Sequence, residues 1–509
     1  MEKVIVRAGQ AVKTYPFTAP SPLSAFTAEL CPLPCGGHGR CGKCKVIAKG
    51  KLSPLSAEEK SLLTPQEQRS GVRLACCALA LGSCEIVVGY TAAQVQTAAA
   101  ALAQEWEGGS LFGDAGWAFA ADIGTTTIAA YLVSLQGRLG ESPAASGANC
   151  QARFGADVIT RIERSMEIGI KPLRDCLLDQ LDGLFTQLAQ EQQVSLRAVK
   201  GVVLAGNTTL LHFAAGLDPA GIACAPYTPQ SLFGVLEAAR GFFPSLPPAA
   251  QVYFAPCVSA FVGGDISCAI LACGMRPNDL LIDVGTNGEM ALLLPGGRFL
   301  CCSTAAGPAF EGVGLRFGMP AADGVIDAVQ TDGSGLRCHI IGGGKARGLC
   351  GTGAISALAA LCKNGAVDET GLLDEQYGGA FPLQDGVQLT QEDIRALQLA
   401  KAAVAAGVDT LLERAGISPE QVGRVFLAGG FGSHIRPSDA ARIGLFPRAL
   451  AGKVQAVGNA AGRGACICAR WESAIQQAQQ ACLRSDTLDL ASDLFFQERY
   501  IEQMLFPTG

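Results

Sequence analysis

Two short patterns each occur twice in this chain, in alternating order. Ala120-Ala121-Asp122-Ile123-Gly124-Thr125-Thr126-Thr127 is echoed by Leu281-Ile282-Asp283-Val284-Gly285-Thr286-Asn287-Gly288. Gly201-Val202-Val203-Leu204-Ala205-Gly206-Asn207 is echoed by Gly423-Arg424-Val425-Phe426-Leu427-Ala428-Gly429-Gly430. The order D-x-G-T, L-A-G, D-x-G-T, L-A-G constrains the fold more than any other feature, because it calls for two units of like topology. Each D-x-G-T follows an apolar run that reads as a strand. An aspartate at the end of such a strand can hold Mg²⁺ through water, a cation that favours carboxylates, waters and phosphate oxygens. The glycine lets backbone N–H groups close on a phosphate, and the threonine hydroxyls add donors. One D-x-G-T also suits an ordinary turn, whereas two copies at matching places would grip a triphosphate from both sides. No G-x-x-x-x-G-K-[ST] loop is present. Gly342-Gly343-Gly344-Lys345 and Asp332-Gly333-Ser334-Gly335 read as turns.

A second constellation lies near the N-terminus. Cys35, Cys41 and Cys44 are spaced C-x5-C-x2-C with Gly36, Gly37, Gly39 and Gly42 between and beside them. Thiolates converging within one loop need a tightly folded backbone, and the glycines permit the positive φ angles this requires. Their N–H groups would offset the charge of an iron–sulfur cluster and tune its potential. Zinc prefers paired C-x2-C knuckles, and only one is present. A fourth thiolate must come from elsewhere, and Cys76 and Cys77, in Arg73-Leu74-Ala75-Cys76-Cys77, are the candidates. Cys31 is read as a non-ligand, and His38 as a surface residue.

Composition bounds the remainder. A chain of 509 residues predicts two to four domains. A net charge of −6 argues against a nucleic-acid partner, and no apolar run is long enough to span a membrane. Most of the 21 cysteines stand singly in apolar context, as small buried hydrophobes do. With no signal-peptide pattern at Met1–Val6, the expected compartment is the reducing cytoplasm. The expected division is a mixed β domain over 1–90, a linker over 91–117 broken at Gly108-Gly109-Ser110 with a helix over Ala98–Glu107, and two units over 118–270 and 271–509. Within the first domain, Val4–Val6, Lys45–Ala48 and Glu85–Val88 read as strands and Leu23–Leu30 as a short helix.

These motifs carry resemblances. Residues 30–80 look like a [2Fe-2S] ferredoxin domain of β-grasp fold in the C-x5-C-x2-C variant. Relatives take their last ligand from an R-L-A-C segment, which selects Cys76 over Cys77 and implies the set Cys35, Cys41, Cys44 and Cys76. The remainder resembles the duplicated, ribonuclease-H-like actin/Hsp70/sugar-kinase ATPase superfamily. Asp122–Thr126 matches its first phosphate loop and Asp283–Asn287 its second, while Val425–Gly432 matches its adenosine motif. Cys350-Gly351-Thr352-Gly353-Ala354 is similar to a glycine-rich connecting motif, and Val457-Gly458-Asn459-Ala460 to a further family segment. The implied fold class is α/β with an α+β N-terminal domain.

The combination resembles the ATP-dependent reductive activators of corrinoid proteins. That resemblance implies an enzyme that couples ATP hydrolysis to reduction of a corrinoid protein of a methyltransferase system, Co(II) to Co(I). It implies a [2Fe-2S] cluster, ATP and Mg²⁺ as cofactors, and an upstream low-potential electron donor. Asp122 and Asp283 would orient Mg²⁺ and the attacking water. Gly124, Thr125, Thr126, Gly285, Thr286 and Asn287 would hold phosphates, and Gly351, Gly429, Gly430 and Phe431 would contact the nucleotide. Glu289 and Glu311 are either water-positioning groups or structural carboxylates. An isologous homodimer through the ATPase core is a further expectation. Competing readings are an electron donor to another low-potential acceptor, a small-molecule kinase with an accessory iron–sulfur domain, and a redox sensor without turnover.

Overall fold

The computed structural model describes the chain except residues 1, 9–10, 28–30, 32, 34–36, 41, 43, 64, 70, 89–105, 137–138, 141, 333–334, 430–434 and 508–509. The repeat is visible as two six-stranded sheets. In the first, Ala144–Ala148, Thr127–Ser134 and Trp117–Ile123 form an antiparallel meander, and Val199–Gly206 and Gln251–Phe254 continue it in parallel. In the second, Phe299–Thr304, Gly288–Leu293 and Leu280–Val284 form the same meander, continued in parallel by Val425–Ala428 and Val454–Gly458. The shared order is 3-2-1-4-5. The sixth strands differ: Val235–Ala238 adds antiparallel at one end of the first sheet, and Ser485–Thr487 adds parallel at the opposite end of the second.

Alternation along the central strands builds three apolar layers. Phe119, Ala121 and Ile123 face the core under helices Val158–Ile168 and Lys171–Glu191. Ala118 and Ala120 face the opposite core, shared with Leu281, Phe426 and Ala428 of the second sheet. Leu280, Ile282 and Val284 face a third core, under helices Gly351–Lys363 and Gln391–Ala415. The shared middle layer is filled by helices Gly264–Cys273 and Ala460–Arg470, which occupy corresponding places in the two repeats.

These two helices touch backbone to backbone. A Cβ on Gly464 would lie 1.9 Å from the Cys268 carbonyl oxygen, and one on Gly462 would lie 2.5 Å from the Tyr131 hydroxyl. Gly464→Ala is therefore expected to push the halves apart and lower stability by about 1–3 kcal/mol or more. A urea unfolding midpoint equal to the wild type would contradict that expectation.

The N-terminal domain is a mixed sheet in the order Ala11–Phe17, Glu2–Ala8, Leu79–Val88, Lys45–Leu52, Val72–Leu74, with Ser21–Pro22 added antiparallel to Leu79–Val88. The first and last long strands pair in parallel, Val4 opposite Cys84 and Val6 opposite Ile86. Inward residues Val4, Val6, Val46, Ala48, Leu74, Ile86 and Val88 form its core, joined by Cys31. The helix expected over Leu23–Leu30 is a single turn, Ser24–Thr27, and residues 28–30 lie outside the described part.

Two details depart from the sequence reading, and a third agrees with it. Most of the helix expected over Ala98–Glu107 lies outside the described residues, but the end of the linker is docked. Ser110 Oγ donates to the Ala469 carbonyl (2.7 Å), Glu472 N–H donates to the Gly109 carbonyl (2.9 Å), and Phe112 is buried where a Cβ on Gly201 would stand. Cys150 and Cys176 form a disulfide, tying the short 3-10 turn Cys150–Arg153 to helix Lys171–Glu191. Gly342–Gly344 do form a turn, with φ of +68°, +72° and +83°. Among the described residues, no helix is long and apolar enough to cross a membrane.

Candidate active site between the two phosphate loops

The two D-x-G-T segments end equivalent strands and face each other. In the first, Gly124 N–H donates to the Thr127 carbonyl (3.0 Å); in the second, Gly285 N–H donates to the Asn287 carbonyl (2.8 Å). Each L-A-G glycine lies against the neighbouring D-x-G-T strand. A Cβ on Gly206 would come within 2.8 Å of the Ile123 carbonyl, and one on Gly429 within 2.3 Å of the Val284 carbonyl and 3.1 Å of Asp283 Oδ1. With φ of +108° at Gly429, this close approach gives the motif a packing reason independent of any nucleotide. Gly430 and Phe431 lie outside the described residues. Gly351 opens a buried helix, and the Phe310 carbonyl fills the place of its missing Cβ at 1.6 Å, so Gly351 too has a packing role.

The first loop is pinned at three consecutive carbonyls. Asn149 Nδ2 donates to the Gly124 carbonyl (2.8 Å), Arg161 Nη2 to the Thr125 carbonyl (2.5 Å), and Asn149 N–H to the Thr126 carbonyl (2.8 Å). Arg161 is 0% exposed, and burial lowers its pKa to about 10. Asn207 caps helix Thr208–Ala215 through Leu210 N–H (2.9 Å) and donates from Nδ2 to Thr125 Oγ1 (3.3 Å). Asn459 caps helix Ala460–Arg470 through Gly462 N–H (2.7 Å) and donates from Nδ2 to Asp122 Oδ2 (2.9 Å). That last bond reaches from one repeat to the catalytic aspartate expected in the other.

Five carboxyl groups gather here. Burial first, and then the Asp265 charge, push Asp122 up to about 7. Burial, with Asp265, Asp122 and Glu311 as neighbours, pushes Asp283 up to about 8. Burial likewise raises Asp265, Glu289 and Glu311, and Glu289, directly opposite Asp283 in the sheet, is raised most among them, with Asp265, Asp283 and Asp122 adding to the effect. Such a cluster of perturbed acids in a cleft is the pattern of a functional site. Among the described residues, no three Asp, Glu, His or Cys side chains close on one point as direct metal ligands. The donor set therefore suits a metal held largely through water and phosphate oxygens.

Glu311 bridges the two loops. Its Oε2 accepts from Thr126 Oγ1 (2.6 Å) and Thr286 Oγ1 (3.2 Å), and the two hydroxyls are 3.3 Å apart. Asp265 and Arg161 escaped the sequence reading, and Asn207 and Asn459 stood in its motifs without a role of their own. Asp265 had a signal, a lone acid after Gly263-Gly264 that opens an otherwise apolar helix. Arg161 had none.

In the N-terminal domain, Cys44 and Cys76 Sγ lie 3.2 Å apart, and Cys35 and Cys41 lie outside the described residues. Gly37, Gly39 and Gly42 have φ of +84°, +68° and +64°, the left-handed turns expected of a cluster loop. A Cβ on Gly37 would contact Cys76 Cβ at 3.9 Å, whereas one on Gly39 would meet Cys77 Sγ at 2.9 Å, against Glu58. Cys76 Sγ lies 3.2 Å from Cys44 Sγ and 3.5 Å from Cys77 Sγ, and Cys77 has carboxylates as neighbours, which disfavour an added negative charge. The R-L-A-C segment is anchored by an ion pair. Arg73 Nε and Nη2 donate to Glu59 Oε1 (2.8 Å) and Oε2 (2.9 Å), and Leu74 N–H donates to Glu59 Oε1 (2.9 Å).

Fold and cleft together define an ATPase of the actin/Hsp70/sugar-kinase type that carries an N-terminal cysteine-loop domain. Residues 117–278 match the model of the RACo middle region, and residues 278–509 that of the C-terminal ASKHA domain of RACo. The corrinoid activation enzyme RamQ of Eubacterium limosum is 31% identical over 431 residues, 77% of this chain and 70% of that one. A reductase of the Co(II) methylated-amine-specific corrinoid protein from Methanosarcina barkeri is 26% identical over 339 residues, 60% of this chain and 61% of the relative. The solved structure of a reductive activator for corrinoid, iron–sulfur protein superposes with a TM-score of 0.71 at 26% identity, covering 100% of this chain and 98% of that one. The chain belongs to the family of ATP-dependent reductive activators of corrinoid proteins.

Proposed function

We propose that this protein uses ATP to return an oxidised corrinoid protein of a methyltransferase system from Co(II) to Co(I). The observation that carries the reading is the presence, in one polypeptide, of two facing D-x-G-T loops and a glycine-rich loop whose Cys44 meets Cys76 of the R-L-A-C segment. Cys35, Cys41, Cys44 and Cys76 would hold a [2Fe-2S] cluster, which when bound supplies a one-electron relay. Backbone N–H groups around Gly124 and Gly285, with the hydroxyls of Thr125, Thr126 and Thr286, hold the phosphates. Asp122, Asp283 and Asp265 would hold Mg²⁺, whose charge would offset the repulsion among the clustered acids. Asp122 and Asp283 would also orient the attacking water, with Glu289 as the carboxyl that supports Asp283 from the neighbouring strand. Gly429, Gly430 and Phe431 border the adenosine.

Coupling requires a nucleotide that favours one conformer over another. The two halves, in contact through the crossed helices and bridged by Asn459 and Glu311, supply a closure motion of the hinge or shear kind. A low-potential donor upstream, a homodimer and a cytoplasmic setting complete the proposal.

The test mixes purified protein, Mg·ATP, a low-potential reductant and a Co(II) corrinoid protein, and follows the Co(I) absorption. ATP-dependent Co(I) is expected. Reduction without ATP, or none with it, defeats the proposal. A Cys44→Ser variant is expected to lose both the iron–sulfur absorption and Co(I) formation.

A further inference from the structure

The threonine hydroxyls that should receive a phosphate are already bonded to a carboxylate. Thr126 comes from the first phosphate loop and Thr286 from the second, and one oxygen of Glu311 accepts from both. The other oxygen faces the open side of Gly285, 3.6 Å from where its Cβ would stand. Arg161, beneath the first loop, places a positive charge near the same carboxylate. Two hydroxyl donors, a loop glycine and a nearby guanidinium are an environment suited to a phosphoryl oxygen, and Glu311 presents its carboxylate to it.

The turn carrying Glu311 is held by the core, and the Glu311 side chain is the part that can swing. Glu311 is the last residue of a one-turn 3-10 helix, Pro308–Glu311, bounded by Gly307 (φ +78°) and Gly312 (φ +76°). Phe310 beside it is fully buried and fixes the turn in the core.

We propose that Glu311 is an internal stand-in for a nucleotide phosphoryl group, which latches the two phosphate loops together and is displaced when a nucleoside triphosphate enters. This rests on the nucleotide reading of the cleft. Its consequence is that binding has a built-in competitor. A nucleotide with phosphates long enough to reach Thr126 and Thr286 must break the latch, and one without them need not. Release of Glu311 thereby reports occupancy of the terminal phosphate position to both halves at once.

Equilibrium titration of the full-length protein with Mg²⁺ and either the β,γ-imido analogue of ATP or AMP tests this. Wild type is compared with Glu311→Ala, Glu311→Gln and Glu289→Gln. Glu311→Ala is expected to bind the triphosphate analogue about tenfold more tightly, with AMP affinity unchanged. Glu311→Gln, which preserves volume, is expected to gain several-fold and carries the comparison if the alanine variant misfolds. Glu289→Gln changes a second carboxyl of the same cleft, one bonded to neither threonine, and is expected to gain less than twofold. An equal gain from Glu289→Gln, an equal gain for AMP, or unchanged affinity with slower hydrolysis overturns the latch while leaving the nucleotide site standing. Failure of the wild type to bind the triphosphate analogue overturns both.

Discussion

Asp283→Ala is expected to keep its iron–sulfur absorption and to lose ATP-dependent Co(I) formation, by on the order of 10²-fold or more, the size typical of removing a preorganised electrostatic contact. Asp283 ends the central strand of the second sheet, and the close approach of Gly429 places its carboxylate at the cleft floor. Nothing in the N-terminal domain depends on it. Near-wild-type Co(I) formation by this variant would remove Asp283 from the reaction.

The same residue makes stability depend on pH in an unusual direction. Burial and the neighbouring acids let native Asp283 hold its proton up to about 8, whereas the exposed side chain of the unfolded state releases it near the ordinary aspartate value of 3.8. Across that window the native state binds more protons, so stability falls as pH rises. Asp283→Asn is expected to flatten the decline and raise the melting temperature at pH 8 in the absence of Mg²⁺ and nucleotide. A decline as steep as in the wild type counts against the burial argument.

The second large effect is expected at Glu59. This carboxylate is 0% exposed and Arg73 is 7% exposed. Glu59 accepts from two guanidinium nitrogens, from Leu74 N–H and from Ser56 N–H, while Ser56 Oγ accepts from Glu59 N–H to complete a capping box on helix Ala57–Leu62. Glu59→Ala leaves a buried guanidinium and two backbone donors without their acceptor, a change that costs about 3–5 kcal/mol when one partner of a buried pair is removed. Cys76 follows two residues after Leu74. The variant is therefore expected to lose more than half of its bound iron while nucleotide affinity at the distant cleft stays unchanged. Iron content equal to wild type would show that the pair does not position the cysteine. The arginine of the R-L-A-C segment thus has a physical role, holding the backbone that carries Cys76.

How far the sequence could be read follows from the range of the forces involved. Strand ends, turns and loop glycines are local, so the paired turns at Asp122–Gly124 and Asp283–Gly285 were legible, as were the left-handed turns at Gly37, Gly39 and Gly42. Asp265, Asn459 and Arg161 were not, because each acts across a long separation. Asn459 reaches Asp122 over 337 positions and Arg161 reaches Thr125 over 36. The docked end of the linker was missed for the same reason: Ser110 finds its partner at Ala469.

The sequence by itself determined that the fold is duplicated, which residues end the paired strands, and which cysteines share a glycine-rich loop. These follow from period-two apolar runs and from the backbone freedom of glycine, properties of neighbouring residues. Only the tertiary structure decided that the two loops meet at Glu311, that Gly464 lets the two halves touch, and that Cys76 rather than Cys77 stands beside Cys44. Those outcomes depend on which surfaces pack, and packing joins residues that the chain keeps far apart.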